Sequence, residues 1–263
     1  MNMNMHKKIK EHLIDIESKR NIKILLAVES GSRAWGFASD KSDWDIKFIY
    51  TRPTDWYNSL YSNWDESIDA KGTDDIDGSG WILPKALRLL HKGNSSMQEL
   101  INSPIPYISN VAFYARIGKL SNQYFNPLPA TWHYVELASG NYHRYIENNT
   151  EYKLKRLLYV WRATMVAKYI MLYNTFPSVK IDILLDSYKE LGVPYDIQTF
   201  VNKLITMKRS GIEMGVGTWA EFEILKNWLV SEMNQIKTNL KAGQIKAIKT
   251  EVAPLNEVLR RFM

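Results

Sequence analysis

The most restrictive feature of this sequence is a turn of small residues, Gly31-Ser32, that lies between two apolar segments. Residues 22–28 are rich in Ile, Leu and Val, a composition typical of a buried β-strand. Residues 44–50 predict a second strand, and two aspartates lie at its beginning. The sequence therefore predicts a strand, a tight turn and a second strand, with polar groups at the points where they meet.

The turn itself offers a place for an anion. Glycine at position 31 allows backbone angles that other residues avoid, and it lets a ligand approach the main chain. Ser32 adds a hydroxyl group, and the residues after it can open a helix whose first N–H groups favour negative charge. Gly31 and Ser32 are therefore candidates for holding the phosphates of a nucleotide. A Gly-Ser step alone is also common in ordinary turns.

Two aspartates, Asp43 and Asp45, follow Ser32 after a gap of ten residues. Alternate residues of a strand share a face, so the two carboxylates should point the same way while Trp44 and Ile46 face the core. Neighbouring carboxylates repel each other unless a cation lies between them. Mg²⁺ prefers oxygen ligands and bridges carboxylates to substrate phosphates. The pair therefore indicates a metal site, with a solvated strand edge as the alternative.

In this order and spacing, Gly31-Ser32 and Asp43-Trp44-Asp45 resemble the signature of the polymerase-β-type nucleotidyltransferase superfamily. The wider run, residues 31–36 and 42–50, is similar to a bacterial and phage branch of predicted nucleotidyltransferases associated with RNA repair. The resemblance spans most of the chain, and the further matches are Gly80-Trp81, residues 85–90, Gly93-Asn94, Ser103-Pro104-Ile105, Lys155-Arg156, Tyr159 and Arg162.

The resemblance implies a third carboxylate, on a neighbouring strand, that acts as the general base on the attacking hydroxyl. Asp77 is favoured because Ile76 before it would face the core, and Asp75 is the rival. The expected catalytic residues, which are also the expected ligands of Mg²⁺ or Mn²⁺, are Asp43, Asp45 and Asp77. The expected contacts to the NTP are Gly31, Ser32, Arg33 and Lys85.

One departure from the family pattern follows Asp77. Relatives often carry Gly-Trp-Asp-Leu-Arg-Lys where this chain has residues 80–85, Gly-Trp-Ile-Leu-Pro-Lys. Ile82 and Pro84 thus stand where an acidic and a basic residue are usual. If either position shapes the site, we expect substrate choice to differ from that of relatives. The three proposed metal ligands are present, so catalysis is still expected.

The fold class expected from these patterns is α+β, with a small mixed β-sheet core and a C-terminal α-helical bundle. Residues 1–107 mix strand and helix patterns and form the expected catalytic domain. Residues 108–263 predict helices and form the expected substrate-binding domain. In the clearest helix, apolar residues recur at steps of three and four, namely Leu154, Leu157, Leu158, Trp161, Met165, Tyr169 and Leu172.

Composition limits the class of partner. The net charge of +6 favours polyanions modestly. The candidate contacts to an RNA backbone, each otherwise a solvated surface residue, are Lys203, Lys208, Arg209, Lys237, Lys241, Lys246 and Lys249.

The absence of cysteine excludes disulfides, thiolate metal sites and cysteine nucleophiles. Because no apolar run has the length of a membrane span and residues 1–10 lack a signal-peptide core, we expect a cytoplasmic protein with no membrane partner.

The predicted activity is transfer of a nucleoside monophosphate from an NTP to a hydroxyl group, with release of pyrophosphate (EC 2.7.7 type). An RNA 3′ end, in tRNA or in a cleaved RNA, is the favoured acceptor because of the family branch and the positive charge. A protein or a small molecule is the second possibility. A non-catalytic nucleic-acid-binding protein with a decayed site is the third, and the intact Gly31, Ser32, Asp43 and Asp45 argue against it.

Overall fold

The computed structural model describes residues 3–58, 60, 65–73, 75–148, 153–214 and 219–263. Its strands are β1 (Lys23–Glu29), β2 (Trp44–Thr51), β3 (Ser67–Asp69), β4 (Ile76–Ile82) and β5 (Pro106–Ser109). They form a five-stranded sheet in the order β3-β4-β2-β1-β5. β2 and β4 run parallel, and the other pairs run antiparallel, so the sheet is mixed. With the helices around it, this sheet confirms the predicted α+β class.

The helices precede, interrupt and follow the strands. They are α1 (Met3–Arg20), α2 (Gly31–Trp35), α3 (Thr54–Tyr57), α4 (Leu83–His91), α5 (Ser95–Ile101), α6 (Val111–Tyr124), α7 (Pro127–Tyr145), α8 (Leu154–Tyr173), α9 (Asp182–Asp186), α10 (Tyr195–Arg209), α11 (Trp219–Lys241) and α12 (Ala253–Phe262).

The sheet is covered on both faces by apolar side chains. On one face, Ile9 and Leu13 of α1 pack with the buried side chains of Ile46 and Phe48. On the other face, residues of α4, α5, α6 and α12 pack against β1 and against Ile49. β1 lies between β2 and β5, and every residue after Lys23 in it is buried, which is why its sequence is almost continuously apolar.

The chain divides into two compact units. The unit that contains the sheet comprises Met1–Ala34, Asp43–Phe125 and Lys249–Met263, and the helical unit comprises Trp35–Ser42 and Asn126–Ile248. The expected boundary between residues 107 and 108 falls inside β5, because β5 pairs with β1 and belongs to the sheet. The assignment of the helical region to substrate binding stays a prediction.

In the helical unit, α8 is buried along most of its length and packs against α7, α10 and α11. Trp161 and Met165, two of its predicted core residues, are completely buried. Leu172 near its end is half exposed, so the predicted apolar stripe stops short of the last turn. Although α8 is long and apolar, none of the described helices has the length and hydropathy needed to cross a membrane.

Candidate functional site

The parallel pairing of β2 with β4 places Asp45 directly opposite Asp77. Side chains at paired positions point to the same face of a sheet, so the two carboxylates are neighbours. The residues before them, Trp44 and Ile76, are buried on the other face. Asp45 is half-buried and Asp77 is exposed. The expected strand beside the Asp43–Asp45 region is therefore present, and it places Asp77 next to Asp45.

Asp75 has a different environment from Asp77. It precedes β4 with φ at 58°, and its carbonyl accepts a hydrogen bond of 2.9 Å from the N–H of Trp44. Asp75 is thus a turn residue whose main chain fixes the start of β2. Because Asp75 precedes β4, the alternation of side chains along the strand, which orients Asp77, does not orient Asp75.

Asp43 also precedes its strand, because β2 begins at Trp44, so the strand alternation does not by itself orient the Asp43 side chain. The Asp43 carbonyl accepts a hydrogen bond of 3.1 Å from Nε of Arg33, and the Arg33 guanidinium lies 3.6 Å from the centre of the Trp44 ring. Arg33, proposed as a contact to the NTP, thus also holds the segment that carries Asp43.

The Gly31 turn is packed against Asp45. Gly31 opens α2 with φ at 61°, in the left-handed region that favours glycine, and a Cβ there would lie 2.1 Å from Oδ2 of Asp45. The N–H of Ser30 donates a hydrogen bond of 2.6 Å to the Asp45 carbonyl. The two halves of the motif are therefore adjacent. Ser32 is only 4% exposed, so its hydroxyl is largely shielded.

The carboxyl group of Glu29 is buried and is hydrogen-bonded to the main chain of Asp45. Its Oε1 accepts a hydrogen bond of 3.0 Å from the Asp45 N–H, and its Oε2 accepts one from the Tyr107 hydroxyl. Glu29 is completely buried, and this desolvation raises its pKa to about 7 although both hydrogen bonds act in the opposite direction. Burial also raises the pKa of Tyr107. These contacts link β5, β1 and β2 at the position of Asp45.

The sequence interpretation gave Glu29 no role. The available signal was a charged residue that continues an apolar strand and stands two positions before Gly31. Such a residue is either exposed at the strand end or buried with hydrogen-bond partners, and Tyr107, its partner, is far away in the sequence.

A lysine lies on the same face as the two carboxylates. Lys47 and Ser79 are paired in register, two positions after Asp45 and Asp77, and Nζ of Lys47 donates a hydrogen bond of 2.6 Å to Oγ of Ser79. Both side chains are half-buried. The sequence interpretation assigned neither of them a function.

Lys85, the lysine that was expected to contact the NTP, is placed differently. It lies in α4, which follows the far end of β4, and the strand from Asp77 to Ile82 alone spans about 17 Å at ~3.3 Å per residue. Lys85 thus lies beyond the end of β4 that is opposite to Asp77, and its contact with the NTP stays a prediction. Ile82, one of the two departures from the family pattern, is completely buried in the core, which accounts for its apolar character.

The donor set fits a hard cation. Asp43, Asp45 and Asp77 offer carboxylate oxygens, which are the ligands that Mg²⁺ prefers. In the described part of the chain, no group of three or more His, Cys, Asp or Glu side chains is gathered closely enough to hold a metal ion by itself. Mg²⁺ sites in proteins usually combine carboxylates with water and substrate phosphates.

One of the lysines expected to contact RNA, Lys208, is buried. Lys208 is 2% exposed, and its Nζ donates a hydrogen bond of 2.6 Å to Glu213, so it cannot reach an RNA backbone. Lys203 and Lys237 form ion pairs of 3.4 and 3.1 Å with glutamates at the surface. The remaining candidates, which are exposed, are Arg209, Lys241, Lys246 and Lys249.

Three residues of the family pattern meet inside the helical unit. The rings of Trp35 and Tyr159 are 4.9 Å apart in an edge arrangement, and the Arg162 guanidinium lies 4.2 Å from the centre of the Trp35 ring. Arg162 is buried. Its contact with Trp35 is a cation–π interaction that joins these residues in the packing of the unit.

Two cavities in the described part of the chain lie away from the carboxylates. One of about 250 Å³ in the helical unit is lined by residues that include Lys168 and Glu232. One of about 210 Å³ between α4 and α12 is lined by residues that include Leu87 and Leu255. Neither cavity is lined by Gly31, Ser32, Asp43, Asp45 or Asp77. The candidate site is therefore located by strand register, which places Asp45 beside Asp77.

Comparison with known proteins identifies the family. The family model described as "RlaP: RNA repair pathway DNA polymerase beta family" matches residues 5–261. The Bacillus subtilis (strain 168) protein named "Uncharacterized protein YcgL" is 32% identical over 256 residues, which cover 97% of this chain and 95% of that protein. A crystal structure of a nucleotidyltransferase-like protein from Exiguobacterium sibiricum 255-15 aligns with 96% of this chain and 80% of that chain, at 9% identity and a TM-score of 0.30. Because the family model covers nearly the whole chain, the protein belongs to the RNA repair pathway DNA polymerase beta family, a polymerase-β-type nucleotidyltransferase family.

Proposed function

We propose that this protein is a metal-dependent nucleotidyltransferase that joins a nucleoside monophosphate from an NTP to the 3′ hydroxyl of an RNA. The observation that carries the proposal is the register of β2 and β4, which sets Asp45 opposite Asp77, with Gly31 packed against the Asp45 carboxylate. Membership of a polymerase-β-type family supports the same chemistry.

In the proposed reaction, the main-chain N–H groups at the start of α2 bind the triphosphate beside Gly31. We assign this contact to the main chain because the Ser32 hydroxyl is largely shielded. Asp43, Asp45 and Asp77 would hold Mg²⁺ or Mn²⁺, and the bound ion would supply charge neutralisation and a lowered pKa for the acceptor hydroxyl. Glu29 holds the Asp45 main chain in place through its 3.0 Å hydrogen bond.

Asp77 is the proposed general base. Its carboxylate takes the proton of the acceptor hydroxyl while the hydroxyl oxygen forms a bond to the α-phosphorus. The bond between the α-phosphorus and the bridging oxygen breaks, and pyrophosphate leaves. Asp77 suits this task because it is exposed to an incoming substrate, whereas Asp45 is half-buried against Gly31.

The description of the family and the net charge of the chain both support RNA as the acceptor. The family is described by its place in RNA repair, and the chain carries a net charge of +6. The exposed cations Arg209, Lys241, Lys246 and Lys249 can contribute phosphate contacts.

The test is a transfer assay with each α-labelled NTP and Mg²⁺, in separate reactions with tRNA, with cleaved RNA and with cell-extract protein. Label should appear in RNA with wild-type protein and should be absent with Asp45→Ala and Asp43→Ala. Asp55→Ala, which removes an exposed aspartate of α3, is the matched control and should behave as wild type. Label in protein instead would reassign the acceptor. Equal label with wild type and Asp45→Ala would overturn the proposed mechanism.

A further inference from the structure

The face of the sheet that carries the carboxylates also carries an ammonium group. Lys47 and Ser79 follow Asp45 and Asp77 by two positions on paired strands, so they share their face at a spacing of about 7 Å. We infer that Lys47, oriented by Ser79, is a phosphate-binding group of the substrate site. This inference rests on the proposed function, and it adds a phosphate contact at a residue to which the proposed function gives no role.

The bond between Lys47 and Ser79 fixes the direction of the ammonium group. An ammonium has three N–H donors, and the 2.6 Å hydrogen bond to Oγ of Ser79 uses one of them. Because Ser79 projects from the neighbouring strand, Lys47 is held along the surface of the sheet instead of extending into solvent. The remaining donors are available to a ligand that lies over β2 and β4.

The partner of Lys47 is unusual for a lysine that is withdrawn from water. Three other lysines with little side-chain exposure each form an ion pair with a glutamate, namely Lys168, Lys208 and Lys226. Lys47 bonds to a neutral hydroxyl, and within the described ranges it has no carboxylate within the 4.0 Å of an ion pair. A partly desolvated cation is stabilised by an anion, and here the protein supplies a group that orients the cation without neutralising it.

Phosphate is the ligand class that matches this arrangement. A lysine ammonium binds phosphate oxygens as a point charge, and both substrates of the proposed reaction carry phosphates. The phosphate belongs either to the triphosphate of the NTP or to the backbone of the RNA acceptor. Both sources use the same chemistry at Lys47, so separate binding measurements distinguish them.

The experiment measures binding of a fluorescent NTP and of a labelled RNA to wild type, Lys47→Met, Lys47→Arg and Ser79→Ala. Lys47→Met should weaken binding of one ligand by roughly 10-fold or more, the usual effect of losing a charged hydrogen bond. Lys47→Arg keeps the charge and should lose less. Ser79→Ala loses only the orientation and should be intermediate. Weaker binding of the NTP alone identifies the triphosphate, and weaker binding of RNA alone identifies its backbone.

Lys7→Met is the matched control. It makes the same change in net charge on α1, which covers the other face of the sheet, at a side chain that is 77% exposed. Wild-type affinity of Lys47→Met for both ligands would overturn the inference while leaving the proposed function intact. If Lys47→Met does not fold, unchanged affinity of Ser79→Ala for both ligands would overturn it instead. Wild-type protein that binds neither ligand would overturn both the inference and the proposed function.

Discussion

Gly31 lies so close to Asp45 that a methyl group at position 31 would come within 2.1 Å of Oδ2 of the Asp45 carboxylate. Two separate requirements therefore meet at this glycine. Its φ of 61° is strained for other residues, and its missing side chain leaves the space that the carboxylate occupies. The turn and the carboxylate consequently act as one structural feature.

Replacing Gly31 with alanine should abolish most nucleotidyl transfer, because the Asp45 carboxylate must leave its position to accommodate the methyl group. The free energy of unfolding should fall by only about 1–2 kcal/mol, the usual cost of a non-glycine residue at positive φ. Transfer of label to RNA and urea unfolding measure the two effects on the same preparation.

Gly192→Ala is the control for backbone strain. Gly192 has a φ of 64°, and no described atom lies within 4 Å of the position that an alanine methyl group would take there, so the substitution reproduces the strain without the contact. It should lower stability by a similar amount and leave transfer close to wild type. If Gly31→Ala and Gly192→Ala had the same activity, the close approach to Asp45 would have no functional importance.

Asp77 and Asp75 should respond differently to the same substitution. Asp77→Asn should retain NTP binding and slow transfer by about 10²–10⁴-fold, as expected for a lost general base. Asp75→Asn should stay near wild type, because the contact of Asp75 with Trp44 is made by its main-chain carbonyl. Single-turnover rates with saturating NTP measure the difference. If Asp75→Asn slowed transfer and Asp77→Asn did not, Asp75 would be the general base instead of Asp77.

Glu29 should make the stability of the protein depend on pH. Its pKa is about 7 in the folded protein against 4.5 without the fold, so between these values the folded state holds a proton that the unfolded state releases. Stability from this group is therefore fully present below pH 4.5 and is lost as the pH rises through 7. The total change should be about 3 kcal/mol.

Glu29→Gln should remove this pH dependence, because glutamine cannot ionise and still offers an oxygen to the Asp45 N–H. Urea unfolding from pH 4.5 to 8 should show a steeper loss of stability in wild type than in the variant. Glu11→Gln, at a side chain that is 62% exposed, should keep the wild-type slope. Parallel curves for wild type and Glu29→Gln would show that Glu29 ionises normally in the folded protein.

Exposed and buried lysines should differ in how their substitution changes the salt dependence of RNA binding. Lys241→Met and Lys246→Met should each lower the log–log salt slope of RNA binding by about 0.7 if each contacts one phosphate of a single strand. Lys208→Met should lower thermal stability and leave the slope unchanged, since Lys208 is buried and bonded to Glu213. Fluorescence anisotropy with labelled RNA over a range of salt concentrations measures the slopes. A reduced slope for Lys208→Met would contradict the burial argument.

Features that depend on short stretches of chain were predictable from the sequence. The apolar runs that became β1 and β2, and the small-residue turn between them, follow from local composition and from the backbone freedom of glycine. The family followed from the order and spacing of Gly31-Ser32 and Asp43-Trp44-Asp45, and the family model confirms it. The expected strand that carries Asp77 was also found beside β2, although its catalytic role stays a prediction.

Features that depend on contacts between distant segments were decided only by the tertiary structure. By sequence, Lys47 and Lys85 are both lysines near the aspartates, and only the parallel register shows that Lys47 shares their face while Lys85 lies beyond the far end of β4. Glu29 acquires its raised pKa because the surrounding core excludes water from it, and the hydrogen bond from the distant Tyr107 only partly offsets this effect. The physical reason is the same in each case: the energy of a charged group depends on what surrounds it, and its surroundings come from chain segments that the local sequence does not specify.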